Sequence, residues 1–176
     1  MHGMIDLETL GVEPDSVILT LGAIKFDPNT DDEPHSGLYL RVNVDEQTAI
    51  GRSIDPNTVE WWGRQSKEIQ EEALGETGRI SLDQMTKEIN KFCMSCEALW
   101  CQGPLFDYAI LQNLYKQLGK PCPWNYWQIK DSRTLFGLCD MDPRKDMQTD
   151  AHNALADCYY QAKAVQKVYK QFGIKK

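Results

Sequence analysis

Apolar and polar positions follow a strand-like pattern in the first quarter of the chain and a helical period after it. Residues 4–8 are apolar except at Asp6 and Glu8, and residues 2–8 predict a first strand. Thr9-Leu10-Gly11 and Pro14-Asp15 turn the chain, and the β-branched, apolar run 17–26 predicts a second strand. Residues 27–30 and the acids after them read as a loop, and 38–44 as a third strand. Sequential strands with short connections predict an antiparallel meander. Asp55-Pro56 then opens a helix carrying Val59, Trp61 and Trp62. Ser81 and Gln84 form a capping-box pattern ahead of Met85, Ile89, Phe92 and Cys93. Residues 98–101 read as a short buried strand. Gly103-Pro104 breaks the chain before a helix with Phe106, Ile110, Leu114 and Leu118 at four-residue steps, closed by Gly119 and Pro121. Residues 129–135 predict a short strand running into a helical turn. The last helix aligns Leu155, Cys158, Ala162, Val165, Tyr169 and Phe172 in one apolar stripe. No repeat, low-complexity tract or linker interrupts this order. Strands first, then strands alternating with helices, predict an α/β domain over residues 1–176, a central mixed sheet with its first three strands antiparallel, flanked by helices.

Composition changes this picture little. The aromatic residues, five Trp, seven Tyr and five Phe, supply core material. A formal charge of −7 argues against a passive nucleic-acid coat, but less against an enzyme whose acidic site is neutralised by metals. Basic residues recur locally at Arg41, Arg52, Arg64 and Lys67, then at Lys116, Lys120, Lys130 and Arg133. The N-terminus runs straight into an acidic strand rather than a secretion signal, and no apolar run is long enough to span a bilayer. The six Cys therefore read as free thiols in a reducing cytoplasm. Cys93 and Cys96 form a C-x-x-C, but without a well-defined second pair. Structural thiols are favoured over a zinc or redox site.

The candidate chemistry starts at Asp6 and Glu8. Residues two apart on a strand share a face, so these two carboxylates project together while Ile5 and Leu7 project the other way. Like charges side by side repel, and partial burial makes the repulsion worse unless protons or cations neutralise them. A hard divalent ion such as magnesium is the natural neutraliser of an all-oxygen site. Asp107 at the start of one helix and Asp157 inside the last each lie beside an apolar stripe. His152 precedes Asp157 by five residues. That step subtends about 140° on a helix, so both face one site only if His152 sits before the helix or in its first turn, with Asp150 or Asn153 as the cap.

Asp6-Leu7-Glu8-Thr9, then Phe106-Asp107, then His152 through Asp157 resemble the three exonuclease motifs of the DEDD superfamily, and the His-x4-Asp spacing resembles its DEDDh branch. The resemblance runs from residue 4 to residue 157. Met4 through Gly11, with Val59-Glu60-Trp61-Trp62, is similar to the phage DexA and mycobacterial exoribonuclease-like subgroup. The resemblance implies a ribonuclease H-like fold and a 3′-to-5′ exonuclease acting on single strands or 3′ overhangs of DNA or RNA to release nucleoside 5′-monophosphates. It implies Asp6, Glu8, Asp107 and Asp157 as ligands of two divalent cations, Mg²⁺ or Mn²⁺, and His152 as general base. Leu7, Thr9, Leu10, Trp61, Trp62, Phe106 and Arg133 are the substrate contacts to look for. Leu10 departs from the Thr that many members carry, and Gln102-Gly103-Pro104 departs from the Asn that many have near Gln102 or Gly103. The partner expected is a nucleic-acid 3′ end, with no membrane, a homodimer left open, and a bacterial or phage-infected host cytoplasm as the setting. The alternative is a catalytically weak nucleic-acid-binding module on the same fold. Taken singly, Asp107 reads as an ordinary helix-start acid and His152 as a loop histidine, Asp157 is evenly balanced between a solvated acid and a site residue, and Asp6 and Glu8 favour a central strand over a solvent-facing edge; Trp61 and Trp62 read as packing residues with one of them exposed. The tetrad gains force only jointly.

Overall fold

The computed structural model describes residues 1–147 and 152–175. Strands β1 (His2–Thr9), β2 (Ile18–Phe26) and β3 (His35–Arg41) form the antiparallel meander. Helices α1 (Val44–Ala49), α2 (Pro56–Gly63), α3 (Lys67–Leu74) and α4 (Leu82–Cys93) follow, then strand β4 (Ala98–Cys101). Helix α5 (Asp107–Gln117), strand β5 (Ile129–Asp131), α6 (Ser132–Phe136) and α7 (Ala154–Phe172) complete the order. The sheet runs β3-β2-β1-β4-β5, with β4 and β5 parallel to β1. The strand bearing Asp6 and Glu8 is therefore central.

Alternation along β1 divides the core. Ile5 and Leu7 pack on one face with Met85, Ile89 and Phe92 of α4 and Ile110, Leu111 and Leu114 of α5. Met4 packs on the other with Phe26, Trp100 and the α7 residues Cys158, Ala162, Val165 and Val168. Beyond Met4 on that second face come Asp6 and Glu8, so the apolar α7 interface passes directly into the acidic site.

The third strand lies three residues earlier than its apolar run predicts. Asn43 accepts the Glu46 N–H at 2.9 Å and starts α1, so Val44 is helical. Gln47 then bonds both backbone groups of Ile18 at 2.7 Å and ties α1 to β2. The capping box at Ser81 is one-sided. Ser81 accepts the Gln84 N–H at 3.1 Å, but the Gln84 side chain turns to Glu88, and Glu46 takes the Leu82 N–H instead. Phe172, placed in the buried stripe by its spacing, is 49% exposed because α7 outruns the sheet there. The Cys are free; burial pushes the Cys93 thiol up to about 12, which suits a packing role rather than a thiolate ligand. Among the described residues no helix is long and apolar enough to cross a membrane.

Candidate active site

Three separate pieces of chain bring the acids together. Asp6 and Glu8 come from β1. Asp107 enters at the first turn of α5, where its Oδ1 accepts the Leu7 N–H at 3.0 Å and fastens that helix to the central strand. The turn that delivers it needs Gly103, at φ +104°, whose N–H donates to Asp131 Oδ1 at 3.1 Å. Asp157 arrives on α7, whose first turn rests directly on β2 at Gly22. A Cβ at Gly22 would lie 2.2 Å from the Ala154 carbonyl carbon, so only glycine lets the helix come this close. Gly22→Ala should lift the start of α7 and weaken divalent-ion binding at least tenfold, measured by titration calorimetry.

Ligand oxygens of Asp6, Glu8 and Asp157 lie within 4.8 Å of one another. Asp6, Asp107 and Asp157 line a cavity of about 350 Å³ together with His152, Arg133 and Arg144, while Glu8 lines a second hollow beside it. Burial, then Asp107, Glu8 and Asp157 in turn, push the Asp6 carboxyl well above its ordinary range, while a Gln161 hydrogen bond opposes them. Burial and its acidic neighbours raise Glu8 to about 8. Burial raises Asp107 to about 7 against hydrogen bonds from Leu7 and Cys101, and Asp157 to about 6 against His152 and Arg144. The site is thus built to be uncomfortable without positive charge.

A raised carboxyl pKa gives a definite sign to stability. Without metal, the folded form holds the Glu8 proton more tightly than the unfolded chain does. The resulting stability is complete below about 4.5 and is lost as pH rises through about 8. Glu8→Gln should therefore raise the Tm of the metal-free protein by roughly 2–8 °C at pH 8.5 and by almost nothing at pH 4. Scanning calorimetry in a chelator at both pH values reads this directly.

His152 precedes α7, as its spacing from Asp157 requires, and Asn153 is the N-cap; Asp150 lies outside the described residues. His152 has φ +69°, a conformation non-glycine residues rarely adopt, and its backbone hydrogen-bonds to Asp157. Trp61 meets its ring at 90° with centroids 4.9 Å apart.

Beside the acids lies a groove of about 480 Å³ lined by Leu7, Thr9, Trp61, Trp62 and Phe106 among others. Phe106 is common to groove and acidic cavity. Trp62 is 2% exposed and donates to the Thr9 carbonyl at 2.8 Å, whereas Trp61 is 39% exposed. Leu10 is not brought to this groove; it packs with Val17, Leu19, Trp62 and Ala73. Of the basic residues noted along the chain, Arg133 reaches the acidic cavity. Arg52 is buried on the Ser16 carbonyl, Arg41 bonds the Glu71 and Gly75 carbonyls, and Arg64 pairs with Glu60. Gln102, marked in the sequence as a departure from the family pattern, also lines the cavity, as do Arg144, Tyr160 and Gln161, which were not singled out by sequence. Gln161 had a readable signal, standing one helical turn after Asp157. Arg144, held by Asp142 and Gln102, had none.

The architecture recurs in solved structures. One is Exonuclease X in complex with 5′ overhanging duplex DNA, with a TM-score of 0.62 and 17% identity over 99% of this chain and 95% of that one. Another is the nuclease domain of 3′hExo, a DEDDh family member bound to rAMP, with a TM-score of 0.62 and 13% identity over 98% and 92%. At such identities the likeness is one of fold, and it makes the sheet ribonuclease H-like. Sequence relationship carries the class further: the protein is a 3′–5′ exonuclease. It belongs to the 3′-5′ exoribonuclease Rv2179c-like domain family, which its residues 1–169 match. An exodeoxyribonuclease of Enterobacteria phage T4 is 26% identical over 191 residues, covering 88% of this chain and 83% of the phage enzyme. DEDDh exonucleases are generally divalent-metal dependent.

Proposed function

We propose that the chain removes nucleoside 5′-monophosphates from the 3′ end of single-stranded or 3′-overhanging DNA or RNA, using two divalent cations, Mg²⁺ or Mn²⁺. The observation that carries this reading is the convergence of Asp6, Glu8 and Asp157 within 4.8 Å of one another. Asp107 shares a cavity with Asp6 and Asp157, and Glu8 lines the groove of about 480 Å³ beside it. The donor set fits hard cations, because it is all carboxylate and each of these groups is displaced toward its protonated form by burial. Asp6, Glu8, Asp107 and Asp157 would hold the ions. When bound, such ions lower the pKa of water and offset charge on phosphoryl and leaving oxygens.

The chain's own residues supply the rest. His152, at the rim of the acidic cavity, takes the proton of the attacking water, a role suited to histidine near neutral pH. The terminal nucleotide lies in the groove lined by Leu7, Trp61 and Phe106. Arg133 offers its guanidinium to a phosphate. Residues 1–176 act as one exonuclease domain in a bacterial or phage-infected host cytoplasm, and sedimentation distinguishes monomer from homodimer.

Matched 3′-labelled DNA and RNA oligomers, incubated with Mg²⁺ or Mn²⁺, test the proposal. Release of labelled mononucleotide is the expected result, and the faster substrate names the preferred sugar. Binding without release on every substrate would favour a nucleic-acid-binding module.

A further inference from the structure

Helix α3 takes no part in the scheme above, yet it touches the corner that carries His152. Asn153 makes two side-chain bonds there. Its Oδ1 accepts the Ala156 N–H at 3.0 Å and caps α7, and its Nδ2 donates to Glu72 Oε1 of α3 at 3.2 Å. The amide cannot flip without losing both bonds. The neighbouring residue, His152, is held at φ +69°. A side chain in that region stays there only when its surroundings over-determine it. Two such restraints are present. Trp61 of α2 stands edge-on to the imidazole at 4.9 Å, and Glu72 of α3 anchors the next residue. Both helices lie between β3 and β4, so one inserted segment grips the corner from two directions.

We propose that Glu72 is a positioning residue. Acting through Asn153, it fixes the backbone at His152 and so aims the imidazole at the carboxylate cavity. Glu72 touches neither substrate nor cation. Its consequence for turnover rests on the exonuclease reading; its consequence for the His152 ring does not.

The test pairs kinetics with NMR of the histidine rings. The chain has three His, namely His2, His35 and His152, and the His152 signal is assigned by its loss in His152→Ala. Glu72→Ala should lower kcat about 10- to 100-fold, as misplacement of a reacting group by about 1 Å does, with KM within twofold of the unmutated protein. The His152 resonance should shift and broaden while those of His2 and His35 stay in place. Glu72→Gln keeps the Oε1 acceptor and should restore both readings. N153D retains the cap but sets a carboxylate against Glu72, so it should reproduce the defect even if Glu72→Ala does not fold. The double variant N153D/E72Q, with an amide donor on the other side, should relieve it.

An unmoved His152 resonance in Glu72→Ala or N153D would overturn the proposal, whatever the rate. So would a raised KM with unchanged kcat. If the unmutated protein hydrolyses nothing, the exonuclease reading fails while the NMR comparison still decides the positioning role.

Discussion

Replacing Asp6 by alanine should cut mononucleotide release by about 10³-fold or more while leaving the fold intact. Asp6 sits on the central strand between the other acids. Its carboxyl is raised by Asp107, Glu8 and Asp157 together, in that order after burial. All three lie near enough to repel it, which is why a ligand position at the cations falls to it in the proposed scheme. The backbone has no reason to fail. Asp6 pairs with Gly22 through strand hydrogen bonds that the substitution leaves alone, and Met4 and Leu7 keep the two core faces filled. The one loss is the Gln161 hydrogen bond, and Gln161 retains Ser132 at 3.4 Å. Removing a repelled, buried acid stabilises the metal-free state above neutral pH, because the folded form no longer has to hold a proton or a frustrated charge. Asp6→Ala should therefore melt at or above the unmutated protein in a chelator at pH 8, and gain little when Mg²⁺ is added, whereas the unmutated protein gains by mass action. Near-normal turnover by this variant would remove the proposed site.

How much of this was legible in the chain follows from how local each feature is. Asp6 and Glu8 could be placed on one face because strand alternation is a property of adjacent residues. His152 could be placed ahead of the last helix because a five-residue step does not return to the same helical face. Asp107 was legible only through its motif, since an acid at a helix start is common; the bond it accepts from Leu7 spans 100 residues of chain. The end of the third strand was missed because Asn43 competes for the backbone and wins by capping α1. Helix α3 was invisible for a similar reason. Among its residues only Ala73 is buried, so it leaves no apolar stripe to read. Glu72 and Arg144 are recognisable only once three-dimensional neighbours are known. The narrow clearance at Gly22 is likewise a contact between a strand and a helix more than 130 residues away.

His152→Ala should reduce kcat by about 10²- to 10⁴-fold, the range that a positioned general base supplies, and should leave divalent-ion affinity within a few-fold. The separation follows from where the residue stands. The acids come from β1, α5 and α7, and their mutual approach is set by the Leu7 bond to Asp107 and by the seating of α7 on Gly22. Neither depends on the imidazole. The backbone bond from residue 152 to Asp157 survives the substitution, as does the Asn153 cap. What disappears is the ring that faces the cavity and its contact with Trp61. Trp61 still borders the nucleotide groove with Leu7 and Phe106, so KM should move little. Single-turnover rates at saturating Mg²⁺, set beside ion titrations by calorimetry, separate the two effects. A variant that kept its rate but lost its ions would assign His152 to the metal site rather than to proton transfer. Equal loss of both would mean that the ring holds the α7 corner together, and the proposed division between acids that bind cations and a histidine that moves a proton would not stand.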